Sequence, residues 1–162
     1  TWIVIAFVWC LVMFFMMPYW HTYGKQNLSN EAYRTTPEAY LAKTQAMVDK
    51  YKVREITEQN IPVVHPVPGS DVYLIARLWN FWPILELEEG QTYRLHIMST
   101  DWLHGFSLQP ENINIQIHPG YEHIVTLTPT KEGTYSIVCN EYCGINHHTM
   151  ASKLFVVKPK KG

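Results

Sequence analysis

Two cysteines, a histidine and a methionine lie within twelve residues near the carboxyl end of the sequence. The stretch reads Cys139-Asn140-Glu141-Tyr142-Cys143-Gly144-Ile145-Asn146-His147-His148-Thr149-Met150. Thiolate and thioether sulfurs are ligands for soft metal ions such as copper(I), and imidazole also binds copper well. This set of donors predicts a metal site, with copper as the first candidate and zinc as the second.

Three other kinds of site would use some of these residues. A structural zinc site takes four nitrogen or sulfur ligands, which two cysteines and two histidines could supply, but Met150 would then have no role. A disulfide between Cys139 and Cys143 would constrain little of the unfolded chain and would leave His147 unexplained. A mononuclear blue-copper site uses one cysteine, two histidines and a methionine. The second cysteine therefore favours a second copper ion.

The elements around this loop are predicted to be β-strands. From Asp71 onward the sequence consists of short runs rich in β-branched and aromatic residues, separated by turn signals such as Pro119-Gly120. Alternation of apolar and polar residues over 93–98 and 113–117 predicts half-buried antiparallel strands. We therefore expect an all-β domain, an antiparallel Greek-key β-sandwich, over 68–162. The metal loop would join its last two strands, 134–139 and 152–158, which would hold it rigidly.

The amino-terminal run, 1–24, contains no charged side chain and is almost wholly apolar from Trp2 to Met17. About 20 such residues cross the roughly 30 Å of hydrocarbon in a bilayer. An aromatic cluster ending at Tyr23 is typical of the membrane interface. We predict a transmembrane helix here. A cleaved signal peptide is the alternative, but the run shows neither the usual basic start nor a small-residue cleavage site.

The segment 25–67 is predicted to be a helical connector. Thr36-Pro37-Glu38 has the residue types of a helix start: an N-cap, a proline in the first turn and an acidic residue. One apolar stripe follows at helical spacing and contains Tyr40, Thr44, Met47, Val48 and Tyr51. The stripe could pack on the chain's own domain or on a partner subunit, and the pattern does not separate the two.

The stretch from Leu74 to Val157 resembles the copper domain of cytochrome c oxidase subunit II. It contains the family's upstream motif as Asp101-Trp102-Leu103-His104-Gly105-Phe106, and the loop described above fits the family's pattern Cys-x-Glu-x-Cys-x-x-x-His-x-x-Met. The resemblance implies a cupredoxin-like sandwich with a thiolate-bridged dinuclear copper (CuA) centre. The implied ligands are the side chains of His104, Cys139, Cys143, His147 and Met150 and the backbone carbonyl of Glu141.

The resemblance also implies a function in electron transfer. The chain would be a non-catalytic subunit that takes electrons from cytochrome c or a similar carrier and passes them to haem in the catalytic subunit I, where oxygen is reduced. The copper domain would lie on the outer, periplasmic face of a bacterial inner or plasma membrane. A single visible apolar run resembles the compact single-anchor oxidases. As in some family members, the Glu141 side chain would also face a magnesium ion at the interface with the catalytic subunit.

Aromatic residues in the stretch Leu78-Trp79-Asn80-Phe81-Trp82-Pro83 resemble the region where electrons enter the family's copper domain. We expect at least one of Trp79, Phe81 and Trp82 to lie near the metal loop, with Trp82 the first choice because Pro83 marks a strand edge or turn. Ordinary sandwich core is the alternative for all three. Acidic docking of a basic cytochrome could use Glu86, Glu88 and Glu89, although a solvated strand face would explain them equally well.

Other functions and partners are weighed against this one. A formal net charge of -1 argues against nucleic-acid binding. A nitric oxide reductase could use the same copper domain, and a membrane-anchored copper-delivery protein is an alternative of a different class. Because the thiols must stay reduced where disulfides form, we expect a copper-delivery chaperone as a partner. The remaining strand and surface histidines are not expected to be ligands: His65, His96, His118, His123 and His148.

Overall fold

The computed structural model describes residues 1–24, 27, 29–56 and 60–159. It contains two helices, α1 (Trp2–Tyr23) and α2 (Pro37–Tyr51). The strands are β1 (Glu31–Arg34), β2 (Lys52–Ile56), β3 (Ile61–Val64), β4 (Asp71–Arg77), β5 (Asn80–Trp82), β6 (Ile84–Glu88), β7 (Tyr93–Ser99), β8 (His104–Leu108), β9 (Ile113–Ile117), β10 (Tyr121–Leu127), β11 (Gly133–Val138) and β12 (Ala151–Val157).

The strands form two sheets that face each other across one apolar core. The five-stranded sheet has the order β1-β10-β7-β4-β5, and the seven-stranded sheet has the order β2-β3-β6-β12-β11-β8-β9. Side chains from both sheets meet in the core, where the rings of Phe81 and Phe106 lie 6.0 Å apart edge to face. This arrangement confirms the predicted β-sandwich.

The sheets are mixed, so the expectation of a wholly antiparallel sandwich was wrong. β4 runs parallel to β7, and β6 runs parallel to both β3 and β12. After β4 and β5 the chain crosses to the other sheet to form β6, and it then returns to form β7 beside β4. Parallel neighbours require such a crossover, and here the second sheet of the sandwich supplies it in place of a helix.

Helix α1 is long and apolar enough to cross a membrane. Its 22 residues have a mean hydropathy of 2.2 over the best window, and its side chains are exposed. At 1.5 Å per residue the helix extends about 33 Å, which matches the hydrocarbon thickness of a bilayer. The rings of Tyr19, Trp20 and Tyr23 cluster at its carboxyl end, with centroids 5.1 to 5.4 Å apart.

Helix α2 begins where the sequence predicts it. The Thr36 hydroxyl accepts a hydrogen bond from the Ala39 amide (3.3 Å), and Pro37 occupies the first turn. Four residues of the predicted stripe are buried, namely Tyr40, Thr44, Met47 and Val48. The fifth, Tyr51, is partly buried. The stripe packs on the chain's own sandwich, which is the first of the two alternatives.

The buried face of α2 completes the hydrogen bonding of β4. The hydroxyl of Tyr40 donates to the carbonyl of Leu74 (3.1 Å), and the amide of Tyr73 donates to the Met47 sulfur (3.2 Å). The Tyr73 amide lies on the side of β4 that faces β5, which pairs only with the last three residues of β4, whereas the Leu74 carbonyl, like that of Ala76, lies on the side that pairs with β7. α2 also covers the outer face of the sheet, because Tyr40 packs on Ile75 and Met98.

This cover explains why the predicted alternation in β7 is only partly right. Tyr93, Leu95 and Ile97 are buried and Arg94 is exposed, as expected, but His96 and Met98 are buried too. The sequence pattern shows only that polar and apolar residues alternate. The helix that covers the second face comes from more than forty residues earlier in the chain.

The segment before residue 68 also contributes strands to the sandwich. β1 pairs with β10 in one sheet, and the β2–β3 hairpin extends the other, where Val63 and Val64 are fully buried. The division into 1–24, 25–67 and 68–162 stays a prediction. The strands show that the sandwich already draws on residues 31–64.

Tyr40→Phe tests the contact between α2 and β4. The variant removes a buried hydroxyl and its hydrogen bond to the Leu74 carbonyl, and we expect the free energy of unfolding to fall by about 1 kcal/mol. Tyr33→Phe is the matched control, since its hydroxyl bonds to Glu31 at the exposed surface. Denaturant unfolding of the full chain in detergent measures both variants. Equal losses would contradict the assigned role of Tyr40.

Candidate metal centre

The loop that carries the predicted ligands is closed at its base by the sheet. β11 and β12 pair in register up to Val138 and Ala151, and the Cys139 amide donates to the Met150 carbonyl (3.1 Å). The strands lie one residue earlier than predicted, at 133–138 and 151–157. Both ends of the loop are therefore fixed to one another, as the sequence analysis expected.

Tight turns fold the loop back on itself. The His147 amide bonds to the Gly144 carbonyl (3.0 Å), and a short 3-10 turn covers His147–Thr149. Gly144 has a φ of +114°, which a residue with a Cβ rarely adopts. The Trp79 indole lies 3.5 Å from where a Cβ of Gly144 would sit, an ordinary contact distance, so the backbone conformation and not lack of space favours glycine here.

The folded loop and strand β8 bring the two thiols together with four other predicted donors. Cys139 and Cys143 are buried free cysteines whose sulfurs lie 3.7 Å apart. The distances from these sulfurs to the other donors are 3.9 Å from Cys139 Sγ to His104 Nδ1, 3.2 Å from Cys139 Sγ to the Glu141 carbonyl oxygen, 3.6 Å from Cys143 Sγ to His147 Nδ1 and 3.6 Å from Cys143 Sγ to Met150 Sδ. All six residues singled out from the sequence therefore meet at one place.

His104 reaches this group because the following residue is a glycine. It begins β8, and its imidazole is buried against Cys139 and Cys143. A Cβ on Gly105 would lie 2.0 Å from the Asn140 side-chain oxygen and 2.8 Å from two backbone amides of the loop. Any larger residue would push the loop away from β8 and separate the histidine from the thiols.

Asp101 holds the imidazole of His104 in place, a role that the sequence analysis did not assign. Its carboxylate lies 2.7 Å from His104 Nε2 and also accepts hydrogen bonds from the backbone amides of Leu78 (2.7 Å) and Trp102 (2.6 Å). The bond at Nε2 leaves Nδ1 facing Cys139, so that Nδ1 can act as a ligand. The spacing of three residues between Asp101 and His104 was the available signal.

The same hydrogen bonds keep Asp101 ionised. Burial alone would raise the pKa of this carboxyl group, but the bonds from His104, Leu78 and Trp102 outweigh burial and lower its pKa below the ordinary value. A carboxylate is thus fixed behind the His104 ring, where its negative charge favours binding of a cation on the other side of the ring.

The thiol of Cys143 is protonated at neutral pH in the metal-free protein. Burial, followed by the hydrogen bond and charge of the neighbouring Cys139 sulfur, raises its pKa to about 12. A thiol must lose its proton before it binds a metal ion, so metal binding at this sulfur releases a proton.

The three aromatic residues proposed for the region where electrons enter occupy different places. The Trp79 indole donates to the Cys143 carbonyl (3.3 Å) and so contacts the metal loop directly. Phe81 is fully buried in the core, as the alternative reading had it. Trp82, the first choice from sequence, is partly buried and packs on the side of the sandwich that α2 covers.

The other polar residues lie around this centre or away from it. The Glu141 carboxylate accepts a hydrogen bond from the Gln116 side chain (2.9 Å) near the surface. His148 is exposed, whereas His96 and His123 are buried in strands. Glu86 and Glu88 have side-chain partners, because His65 lies 3.4 and 3.3 Å from their carboxylates and Arg54 pairs with Glu86. They do not form a free acidic surface.

Known proteins share both the sequence and the fold of this region. The family model for the cytochrome c oxidase subunit II periplasmic domain matches residues 82–157. Cytochrome c oxidase subunit 2 of Thermus thermophilus is 35% identical over 86 residues, which are 52% of this chain and 64% of that protein. A second Thermus thermophilus sequence of the same name is covered over 51% of its length. The chain therefore spans less than two thirds of these relatives.

Solved structures extend the comparison of fold. A chain of a heme-copper terminal oxidase dimer superposes with a TM-score of 0.56 at 20% identity, covering 95% of this chain and 96% of that chain. Rusticyanin from Thiobacillus ferrooxidans, a copper protein, superposes with a TM-score of 0.52 at 18% identity and covers 82% of this chain and 99% of rusticyanin. Identities this low show a shared fold.

Fold and site together define a cupredoxin-like domain, of the kind predicted, that follows a candidate membrane helix. The buried cluster of His104, Cys139 and Cys143 in such a fold indicates copper. Residues 82–157 match the family of the periplasmic domain of cytochrome c oxidase subunit II, as the motifs implied. Proteins of this family are subunits of an oxidoreductase complex. Helix α1 fits a single-pass membrane protein.

Asp101→Ala tests whether the carboxylate behind His104 supports metal binding. Loss of a hydrogen-bond partner of a ligating histidine typically weakens metal affinity about 10–100-fold. We expect this loss for copper(I), measured by competition with a chromophoric chelator, and a smaller loss for Asp101→Asn. Asp49→Ala, on the exposed face of α2, is the control and should bind as the parent does. Parent-like affinity of Asp101→Ala would contradict this role.

Proposed function

We propose that this chain is the electron-accepting subunit of a haem-copper terminal oxidase. Electrons from cytochrome c or a similar carrier pass through a dinuclear copper centre to haem in a separate catalytic subunit, which reduces oxygen. His104, Cys139, Cys143, His147, Met150 and the Glu141 carbonyl are the proposed ligands. The observation that carries the proposal is a pair of buried free thiols 3.7 Å apart, each with its own imidazole.

The arrangement of donors supports two metal ions instead of one. His104 and the Glu141 carbonyl lie beside one sulfur, whereas His147 and Met150 lie beside the other. Metal–thiolate bonds are about 2.3 Å long for zinc, so an ion on either side of the sulfur pair could reach both sulfurs. A single structural zinc ion or one blue-copper ion would leave donors on one side unused.

The surroundings of the site favour electron transfer. Both thiols, Met150 and His104 are buried, and β8, β11 and β12 fix the backbone on either side. Ligands held in this way move little when an electron arrives or leaves. Bridging thiolates would couple the two copper ions and spread the added electron over both, which keeps bond-length changes small.

Cys143→Ser tests the dinuclear centre. Electron paramagnetic resonance of the copper-loaded full chain should show one unpaired electron shared by two copper nuclei. The variant lacks one bridging sulfur, and we expect the signal of a single copper ion or loss of bound metal. Cys10→Ser, which alters only the cysteine of α1, should keep the parent spectrum. A dinuclear spectrum in Cys143→Ser, or a mononuclear one in the parent, would refute the proposal.

The assembled protein decides between this function and its alternatives. Subunits that purify with the chain, their haems, and consumption of oxygen as opposed to nitric oxide separate an oxidase from a nitric oxide reductase. A copper-delivery protein would instead hold exchangeable copper(I) without intense visible colour. The match to the cytochrome c oxidase subunit II domain favours the oxidase.

The same proposal includes location and further partners. α1 anchors the chain in the bilayer, and the copper domain faces the outer side of the inner or plasma membrane. A chaperone delivers copper, because the free thiols would otherwise oxidise in that compartment. The Glu141 carboxylate, close to the surface beside Gln116, would share a magnesium ion with the catalytic subunit.

An apolar surface next to the centre supports docking of the electron donor. Trp102, Tyr142 and Ile145 are 60%, 78% and 80% exposed, and each is within two residues of a proposed ligand. Exposed large apolar groups near a functional site mark interaction surfaces. Trp79, bonded to the Cys143 carbonyl, offers the aromatic contact between this surface and the metal loop. We propose that a c-type cytochrome with an apolar rim docks here.

Ile145→Glu tests this surface. The added charge should lower the second-order rate of copper reduction by a reduced c-type cytochrome about tenfold in stopped-flow measurements, with an unchanged copper spectrum. Val67→Glu, on another exposed apolar residue, should leave the rate unchanged. The parent rate should depend only weakly on ionic strength. A steep fall of the parent rate with added salt would instead indicate charge-driven docking.

A further inference from the structure

Arg77, at the end of β4, is held in a fixed position and has no ion-pair partner among the residues described. Its Nε donates to the Asn80 side-chain oxygen (3.1 Å), and its guanidinium lies over the Trp82 ring, 5.8 Å from the centroid. Arg54 and Arg94 each pair with a carboxylate. A guanidinium has five N–H donors, and the Asn80 bond uses one, so the terminal nitrogens of Arg77 can still bind a ligand.

A cavity of about 360 Å³ opens beside this guanidinium. Asn60 and Asn80 supply amide donors to its lining, Thr149 also lines it, and Trp79 and Trp82 form apolar walls. Aspartate and glutamate are not among the described residues that line it. A cavity with a cation, several neutral donors and no described carboxylate has the chemistry that recognises an oxyanion.

We propose that Arg77 and this cavity bind an oxyanion, either phosphate or a carboxylate, through the two terminal nitrogens of the guanidinium. Arginine binds such groups with two parallel hydrogen bonds, and the stacking on Trp82 orients its planar head for them. The side-chain amide of Asn80, whose oxygen accepts from Arg77, is placed to donate to the remaining oxygen atoms. The cavity is distinct from the thiol cluster but shares the loop that carries it.

Two contacts join the cavity to the metal loop. Thr149 lines the cavity and directly precedes Met150 in the chain. Trp79 lines it too and donates its indole hydrogen to the Cys143 carbonyl. An anion held here adds negative charge near the metal centre, which stabilises the more positive, oxidised form. Binding should therefore lower the reduction potential of the copper centre, a consequence that rests on the proposed function.

Titration with inorganic phosphate and, separately, with acetate tests the site in the metal-free full chain in nanodiscs. The indole ¹H–¹⁵N signals of Trp79 and Trp82, assigned from Trp→Phe variants, should shift and saturate at constant ionic strength. Arg77→Gln should weaken binding at least about tenfold. Arg34→Gln is the matched control, because Arg34 also lies over an aromatic ring, Tyr121, at 5.7 Å.

The outcomes separate the sources of the oxyanion and the two proposals. Saturation by phosphate both in the isolated chain and in the assembled complex identifies free phosphate as the ligand. Saturation in the isolated chain alone identifies a partner's carboxylate that already occupies the site in the complex. Shifts that do not saturate, or that are equal in Arg77→Gln, overturn the inference. These measurements need no copper, so their outcome does not depend on whether the dinuclear centre exists.

In the copper-loaded chain, phosphate should lower the midpoint potential, and Arg77→Gln should abolish this shift. Asn80→Asp provides a second variant that keeps the arginine. Its carboxylate would pair with Arg77 in place of the ligand, so phosphate binding should be lost while unfolding stays cooperative. Undiminished phosphate binding by Asn80→Asp would contradict the assigned cavity.

Discussion

The approach of the metal loop to strand β8 is the contact on which the rest of this site depends. Five of the six proposed ligands lie between Cys139 and Met150, but His104 comes from a different strand. Gly105 provides the space for the loop. The hydrogen bond between the backbones of Cys139 and Met150 fixes the two ends of the loop to each other. Without this contact, the His104 imidazole would lie apart from the five donors of the loop.

Electrostatics around the site follow from its burial. The Cys143 thiol resists ionisation, because burial and the neighbouring Cys139 sulfur raise its pKa. A bound cation reverses this preference by stabilising both thiolates. Asp101 contributes a fixed negative charge on the far side of the His104 ring. The surface outside is apolar around Trp102, Tyr142 and Ile145.

The sequence predicted the loop well because most of its ligands are close in the chain and chemically unusual. It also predicted the strands on either side of the loop to within a residue, the start of α2 and its buried stripe. It did not predict the parallel pairs, the burial of His96 and Met98, or that Trp79 instead of Trp82 is bonded to the loop. Each of these depends on contacts between distant segments, which residue patterns along one strand do not encode.

The cover that α2 provides over β4 has a consequence for how the protein behaves among many copies of itself. A strand with unsatisfied amides and carbonyls along one side is a template for a foreign strand, and such pairing leads to aggregation. The Met47 sulfur already accepts a hydrogen bond from the Tyr73 amide on this side of β4, and Tyr40 packs over the adjoining face of the sheet. On a crowded membrane surface, where anchored copies meet often, the helix thus discourages edge-to-edge association on that side of the sheet.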